Sequence, residues 1–194
     1  MRKKYLKGSP VGGDGMRYIK IPKERVGVLI GHDGETKRMI EQRSHVKLII
    51  DSKLGEIQID DTKASDPLMG LKTENIVQAI GRGFSPKHAL RLLDDDAYFL
   101  LLDLRDYIGR KETHMKRVKA RIIGRDGRTK HILENMTNSV ISVYGHTVSV
   151  ITTVDYLETV KTALEMVIGG NKHRTVYRFL QRKRKEQEFA AFNR

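Results

Sequence analysis

The sequence predicts an α+β fold built as two copies of one small domain. Three observations carry this. The segment Ile30 to Glu41 aligns without gaps on Ile123 to Glu134, with Ile, Gly, Asp, Gly, Thr, Lys and Glu identical at an offset of 93 residues. Each copy sets an apolar run before a Gly-x-x-Gly turn and an amphipathic segment after it. Each then continues into two short alternating stretches and a further helical stretch. A repeated supersecondary unit of this kind points to a duplicated domain rather than one larger domain.

The elements follow in order. Met16 to Ile21 alternates polar and apolar residues, as a half-buried strand does. Lys23 to Ile30 reads as a short helix, with Pro22 acceptable at its edge. After the glycine turn, Glu35 to Arg43 reads as a helix with Met39 and Ile40 inward. Val46 to Ile50 and Glu56 to Ile59 read as strands joined through Lys53-Leu54-Gly55, and Leu71 to Ile80 as a helix. Ser85-Pro86 then opens an extra helix through Leu93, with Ser85 as N-cap and Pro86 in the first turn. The second copy repeats the pattern: strand 98–104, helix 113–123, helix 128–136, strands 139–143 and 147–151, helix 154–167. A basic helix over 175–189 closes the chain. The expected division is a flexible segment 1–15, domains at 16–84 and 97–170, a linker helix at 85–96 and a C-terminal helix at 171–194.

Composition narrows the partners. Of 194 residues, 37 are Lys or Arg and 24 Asp or Glu, a net charge of +13, which favours an anionic partner. Residues 110–131 hold nine Lys/Arg against Glu112 and Asp126, and 172–185 hold seven with no acid. With no Cys there is neither a thiolate zinc site nor a Cys nucleophile. The seven His form no H-E-x-x-H or comparable metal spacing, so neither catalytic nor metal residues are expected, and no cofactor. Asp60-Asp61 and Asp94-Asp95-Asp96 read as turn and cap residues ahead of Mg²⁺ ligands. No apolar run is long enough to cross a bilayer and the amino terminus lacks a secretory signal, so a cytoplasmic protein without membrane attachment is expected.

The glycine turns carry the chemistry. Gly31-His32-Asp33-Gly34 and Gly124-Arg125-Asp126-Gly127 let the backbone turn tightly and approach a bulky partner. The second glycine opens a helix whose free N–H groups and dipole favour phosphate. Arg125 adds a charged contact and His32 a weaker, pH-dependent one. Asp33 and Asp126 cap the following helix or bond the loop itself. The motif is not a P-loop, which needs four residues between its glycines and Lys directly after the second; Glu35 and Arg128 stand there instead. Lys37, Lys119, Arg121, Arg128 and Lys130 supply further cations. The expected aliphatic groove is lined by Val26, Leu29, Ile30, Ile40 and Leu48 in the first copy, and Val118, Ile122, Ile123, Ile132 and Val140 in the second. Aromatic residues are only 6%, with no Trp, which disfavours an aromatic stacking platform. Residues 17–38 net +3 and 110–131 net +7, so the second copy is expected to dominate binding. In the tail, Arg174, Arg178, Arg182 and Lys185 share one helix face, while Val176, Phe179 and Leu180 can dock another face on the second domain. RNA contact, a solvated face and an anionic membrane surface all remain open for that helix.

The unit of apolar helix, Gly-x-x-Gly, helix and strand resembles the KH nucleic-acid-binding domain. The resemblance implies tandem type I KH domains (βααββα), each a three-stranded antiparallel sheet backed by three helices. It also implies a clamp on about four nucleotides of single-stranded RNA. The segment Ala79-Ile-Gly-Arg-Gly-Phe-Ser-Pro-Lys-His-Ala-Leu-Arg-Leu-Leu93, with Ile123 to Asn135, is similar to the archaeal relatives of the eukaryotic KH factor called partner of Nob. That family assembles the small ribosomal subunit. The likeness implies binding near the 3′ end of small-subunit rRNA or its precursor, beside the Nob endonuclease and the rRNA dimethyltransferase. The first glycine loop is intact here, whereas eukaryotic relatives typically carry a degenerate one, so the first copy can grip RNA or a protein. A protein-docking adaptor that touches RNA incidentally is the alternative reading.

Overall fold

The computed structural model describes residues 16–192 apart from 63, 65 and 67. The expected flexible segment 1–15 lies outside them. The chain divides into two compact units between Asp95 and Asp96.

The first unit runs β1 (Met16–Lys20), α1 (Lys23–Ile30), α2 (Glu35–Ser44), β2 (Lys47–Asp51), β3 (Glu56–Asp60) and α3 (Leu68–Gly81). Its sheet order is β1-β3-β2, antiparallel throughout, with Ile19 opposite Ile57 and Leu48 opposite Ile59. The apolar stripe of each helix turns onto this sheet. Leu29, Ile40, Leu48, Ile57, Ile59 and Ile76 are all fully buried. Arg25 donates to the Ile80 and Phe84 carbonyls at 2.8 Å each, satisfying acceptors that the end of α3 leaves open. The segment after α3 forms α4 (Pro86–Ala89) and a 3-10 turn at Leu90–Leu93 that packs back on α3. Ser85 stands at the start of α4 without a side-chain cap bond. Its hydroxyl instead lies 3.2 Å from His88 Nδ1.

The second unit repeats the plan with β4 (Ala97–Asp103), α5 (Leu104–Ile108), α6 (Glu112–Ile123), α7 (Arg128–Met136), β5 (Val140–Tyr144), β6 (Thr147–Thr153) and α8 (Val154–Ile168). Sheet order is β4-β6-β5, again antiparallel. The short helix α5 is an addition that the strand–helix pattern did not anticipate. Asp103 Oδ1 accepts the Arg105 N–H at 2.9 Å as its N-cap, and Gly109, at φ 72°, ends it. Burial pushes the Asp103 carboxyl up, but bonds from Arg105 and the charges of His146 and Arg105 outweigh it and hold the group below the usual carboxylate range.

The last helix, α9 (His173–Phe192), packs on α7 and α8. Val176 and Leu180 are fully buried and Phe179 joins the same core, as the 3-4 spacing of the tail requires.

Candidate nucleic-acid interface

Each glycine turn is a single 3-10 turn between two helices, and the two copies are nearly superposable in dihedral space. Gly31 has φ 75°, ψ 177° and Gly124 φ 76°, ψ 176°. Asp33 and Asp126 follow at φ 47° and 50°, and Gly34 and Gly127 at φ 78° and 76°. The two glycines of each turn do different work. A Cβ at Gly124 would stand 2.3 Å from Thr129 Oγ1 and 2.7 Å from the Thr129 backbone nitrogen; at Gly31 the values from Thr36 are 2.4 and 2.7 Å. The φ/ψ pair there is one that only glycine occupies readily. The first glycine is therefore demanded by the protein's own packing. At Gly127 a Cβ would meet nothing within 4 Å, and at Gly34 only Arg38 at 3.5 Å. The second glycine leaves open space on the outer side of the turn, where a ligand backbone can lie.

Both turns stand at the surface. The side chains of His32 and Asp33 are almost fully exposed and lie 3.1 Å apart. Arg125, Asp126 and Arg128 are exposed. No side chain caps α2 or α7. The two aspartates are thus not helix caps. They occupy the left-handed region, which Asp tolerates better than most side chains.

Several expected groove residues prove to be core. Val118 and Ile122, one helical turn apart, are 2% and 0% exposed, and Val26, Leu29, Ile40 and Leu48 are likewise buried. The inward stripe of each helix takes them, leaving the next stripe at the surface. In α6 that stripe is Lys119 and Ile123, the latter 38% exposed. Ile30 is its half-buried counterpart in the first unit. Val140 precedes Ile141, which is packed in the helix-facing core, so strand alternation turns Val140 to the other face of the sheet. Ile132 sits on the flank of α7 opposite Lys130 and Glu134, away from β5. Met39 was expected inward and is instead 38% exposed.

The seam between α6–α7 and edge strand β5 is polar rather than aliphatic. Lys130 lies 2.9 Å from Glu134, whose Oε1 accepts the Ile141 N–H at 2.7 Å. Lys37, Glu41 and the Leu48 N–H repeat the arrangement at 3.9 and 2.8 Å. Lys119 donates to the Gly145 carbonyl in the β5–β6 turn at 2.8 Å. Arg121 is drawn away altogether: it donates to the Val167 and Asn171 carbonyls at 3.4 and 2.6 Å, closing the end of α8. It does for the second unit what Arg25 does for the first. The Thr, Lys and Glu shared by the two copies were legible as repeats, but only the structure shows that Thr and Glu serve the frame.

What the second turn brings together is a bare cradle, Ile123 beside it, and the exposed side chains of Arg125 and Arg128. Among the described residues, no group of three or more His, Asp or Glu is placed to hold a metal ion, and no helix is long and apolar enough to cross a membrane.

Comparison with known proteins agrees with this geometry. Residues 98–185 match the family model for the second KH domain of PNO1-type proteins, described as a eukaryotic-type KH domain (KH-domain type I), and residues 16–93 match the KH domain model. KH domain-containing protein MJ0443 of Methanocaldococcus jannaschii is 41% identical over 90% of this chain and 76% of its own length. The crystal structure of Dim2p from Pyrococcus horikoshii superposes with a TM-score of 0.80 at 46% identity, covering 86% of this chain and 98% of that one. Dim2p from the same organism, in a complex with a/eIF2alpha and rRNA, gives 0.82 at 45% identity, covering 88% and 94%.

Proposed function

The chain belongs to the Dim2p/PNO1 family of tandem type I KH proteins, and from that premise we propose that it is a non-catalytic RNA-binding factor of small-subunit ribosome assembly. The observation that carries this reading is the second cradle: a surface Gly124–Gly127 turn with open space outside Gly127 and two exposed arginines at its edge. Backbone N–H groups at the start of α7, with Arg125 and Arg128, neutralise phosphates of a single strand. Ile123 offers the aliphatic contact for a base. Lys119 and Lys130 have their own partners, a carbonyl in the exposed β5–β6 turn and the half-buried Glu134, and can turn to the ligand by exchanging them. The first cradle, Gly31 to Gly34 with His32, is a weaker grip of the same kind.

The Dim2p structure that contains rRNA supports rRNA as the ligand, and the family resemblance points to the small-subunit rRNA near its 3′ end. The family resemblance suggests the Nob endonuclease and the rRNA dimethyltransferase as partners, in work carried out in the cytoplasm. The test is fluorescence anisotropy with labelled single-stranded RNA from the 3′ end of small-subunit rRNA, against the same strand annealed to its complement. Binding of the single strand and loss of binding on annealing is the expected result. Equal affinity for strand and duplex would refute it. Capture of the Nob endonuclease that survives nuclease treatment would establish that contact as direct.

A further inference from the structure

The family model that matches the second unit runs to residue 185, through most of α9, whose Val176 and Leu180 are fully buried in that unit's core. What α9 adds is a charged outer face in register with the cradle. Two bonds fix its start against the cradle's base. His173 Nε2 lies 3.0 Å from the Arg121 carbonyl near the end of α6. The Tyr177 hydroxyl donates to Thr129 Oγ1 at 3.2 Å, the same oxygen that packs against Gly124. From there α9 runs beside α7, with Val176 and Leu180 buried beneath it.

Its outer face is cationic. Arg174, Arg178, Arg182 and Lys185 are all exposed and fall on one stripe. The nearby acids are committed elsewhere: Glu186 to Lys183 at 2.7 Å and Glu188 to Arg184 at 2.9 Å. Arg182 keeps only a 3.8 Å approach to Glu186. Between α9 and the end of α7 a trough is lined by Met136, Arg178, Gln181, Arg182, Lys185 and Phe189, together with the ion-paired Arg184, Glu186 and Glu188. Phe189 is 70% exposed, the most exposed large apolar side chain among the described residues.

We propose that this face of α9 is a second RNA-binding surface, which takes the strand where it leaves the second cradle. Arg174, Arg178 and Lys185 contact successive phosphates, and a base enters the trough against Phe189 and Met136. A single strand is favoured over a protein or membrane partner because the cationic stripe starts one hydroxyl bridge from the cradle. A polyanion held there is led onto it, and an unpaired base fits the pairing of an aromatic ring with flanking guanidinium groups. This inference rests on the cradle reading above.

The experiment uses the full chain and two labelled oligonucleotides. One has five nucleotides, enough to fill only the cradle, since a KH unit clamps about four. The other has fifteen. Replacing three phosphate contacts in R174Q/R178Q/K185Q removes about 0.7 from the salt slope per contact on a single strand, or about 2 in all, equivalent to about a hundredfold at ~0.1 M salt. The expected result is that loss on the longer strand, with the five-nucleotide affinity unchanged within about twofold. F189A should weaken only the longer strand as well. A triple variant that binds both strands like the parent overturns the proposal, and so does one that loses both equally. Binding of the parent to anionic phospholipid vesicles that the triple variant abolishes, with its RNA affinity intact, overturns it in favour of a membrane surface. Gly127→Asp separates the two readings: it should weaken both strands. If it weakens neither, the cradle reading itself fails, whatever α9 does.

Discussion

Replacing Gly127 by Asp puts a carboxylate into the open space outside the second cradle, at a backbone conformation that Asp itself tolerates. Asp126, next to it, already sits at φ 50°. A Cβ at 127 meets no atom within 4 Å, so the substitution makes no clash and carries only the modest strain of a side chain at φ 76°, and its main effect falls on the ligand. A unit negative charge about 4 Å from a bound phosphate costs between about 1 kcal/mol in bulk water and about 4 kcal/mol near a protein surface. That is a loss of affinity between about fivefold and about a thousandfold. Gly34→Asp applies the same perturbation to the first cradle, but the ground there is poorer. From β1 through that turn, Arg17 is held by Asp61 and Glu74, Lys20 by Glu56, Arg25 by two carbonyls and Lys37 by Glu41. Lys23 and Arg38 remain. At the second turn, once Lys119, Arg121 and Lys130 are set aside with their partners, the exposed Arg125 and Arg128 remain, with Lys116 and Arg117 farther back along α6. Each phosphate contact adds about 0.7 to the salt slope, so the second cradle carries most of the ionic affinity. Anisotropy titration of a 3′-end rRNA strand at fixed salt should show Gly127→Asp losing at least about fivefold and Gly34→Asp less than about threefold. Equal losses would refute the ranking, and a greater loss for Gly34→Asp would reverse it.

Three further outcomes follow from the same geometry. Gly124→Ala drives a methyl into Thr129 and forces a glycine-only conformation, so it should cost the second unit about 3 kcal/mol or more. Gly127→Ala, strained in φ but free of contacts, should cost about 1 kcal/mol; matching denaturation midpoints for the two would show that the first glycine is not a packing requirement. Burial, with the charge and hydrogen bond of Glu165, pushes the Tyr107 phenol from 10.0 up to about 12. Because the folded value is raised, its contribution to stability is complete below pH 10 and is lost as the pH climbs toward 12. Ultraviolet phenolate titration should show a late component that disappears in Tyr107→Phe, and its persistence would assign the shift to another tyrosine. Finally, His32→Arg with Glu35→Arg gives the first cradle the side chains of the second, and should partly restore RNA affinity to a Gly127→Asp chain; no recovery would show that the loops are not interchangeable.

The strand and helix order could be read from periodicity because both signals are local: alternation in β1 and the i, i+4 stripe in α6 need no knowledge of the partner surface. Element ends fell within a few residues of the observed ones. Helix α5 escaped because five residues make too short a stripe to register, although Asp103 before it and Gly109 after it are cap residues in the correct places. The groove was the weakest reading. Ile122 and Ile123 are indistinguishable as amino acids, yet one is fully buried and the other 38% exposed, since 100° of helix rotation separates core from surface. Nor could a lysine's partner be read from sequence. Arg121 sits in the densest basic stretch, but its guanidinium serves two carbonyls some 50 residues away in the chain.

Identity between the two copies is a poor guide to where they meet a ligand. The first glycine is fixed by Thr36 or Thr129, the shared Glu holds the edge strand through the Leu48 or Ile141 N–H, and the shared Lys leans on that Glu. These residues are retained in both copies because both need the same turn and the same strand placement. The positions that point outward are the ones that differ: His32 against Arg125, and Glu35 against Arg128. A carboxylate in the first turn of α2 suits the helix dipole but opposes a phosphate arriving at the same N–H groups, whereas Arg128 gives up that small helix stabilisation to attract the phosphate. The cradle is thus common to both copies, and the exchange at two exposed positions is what makes the second copy the one expected to hold the strand.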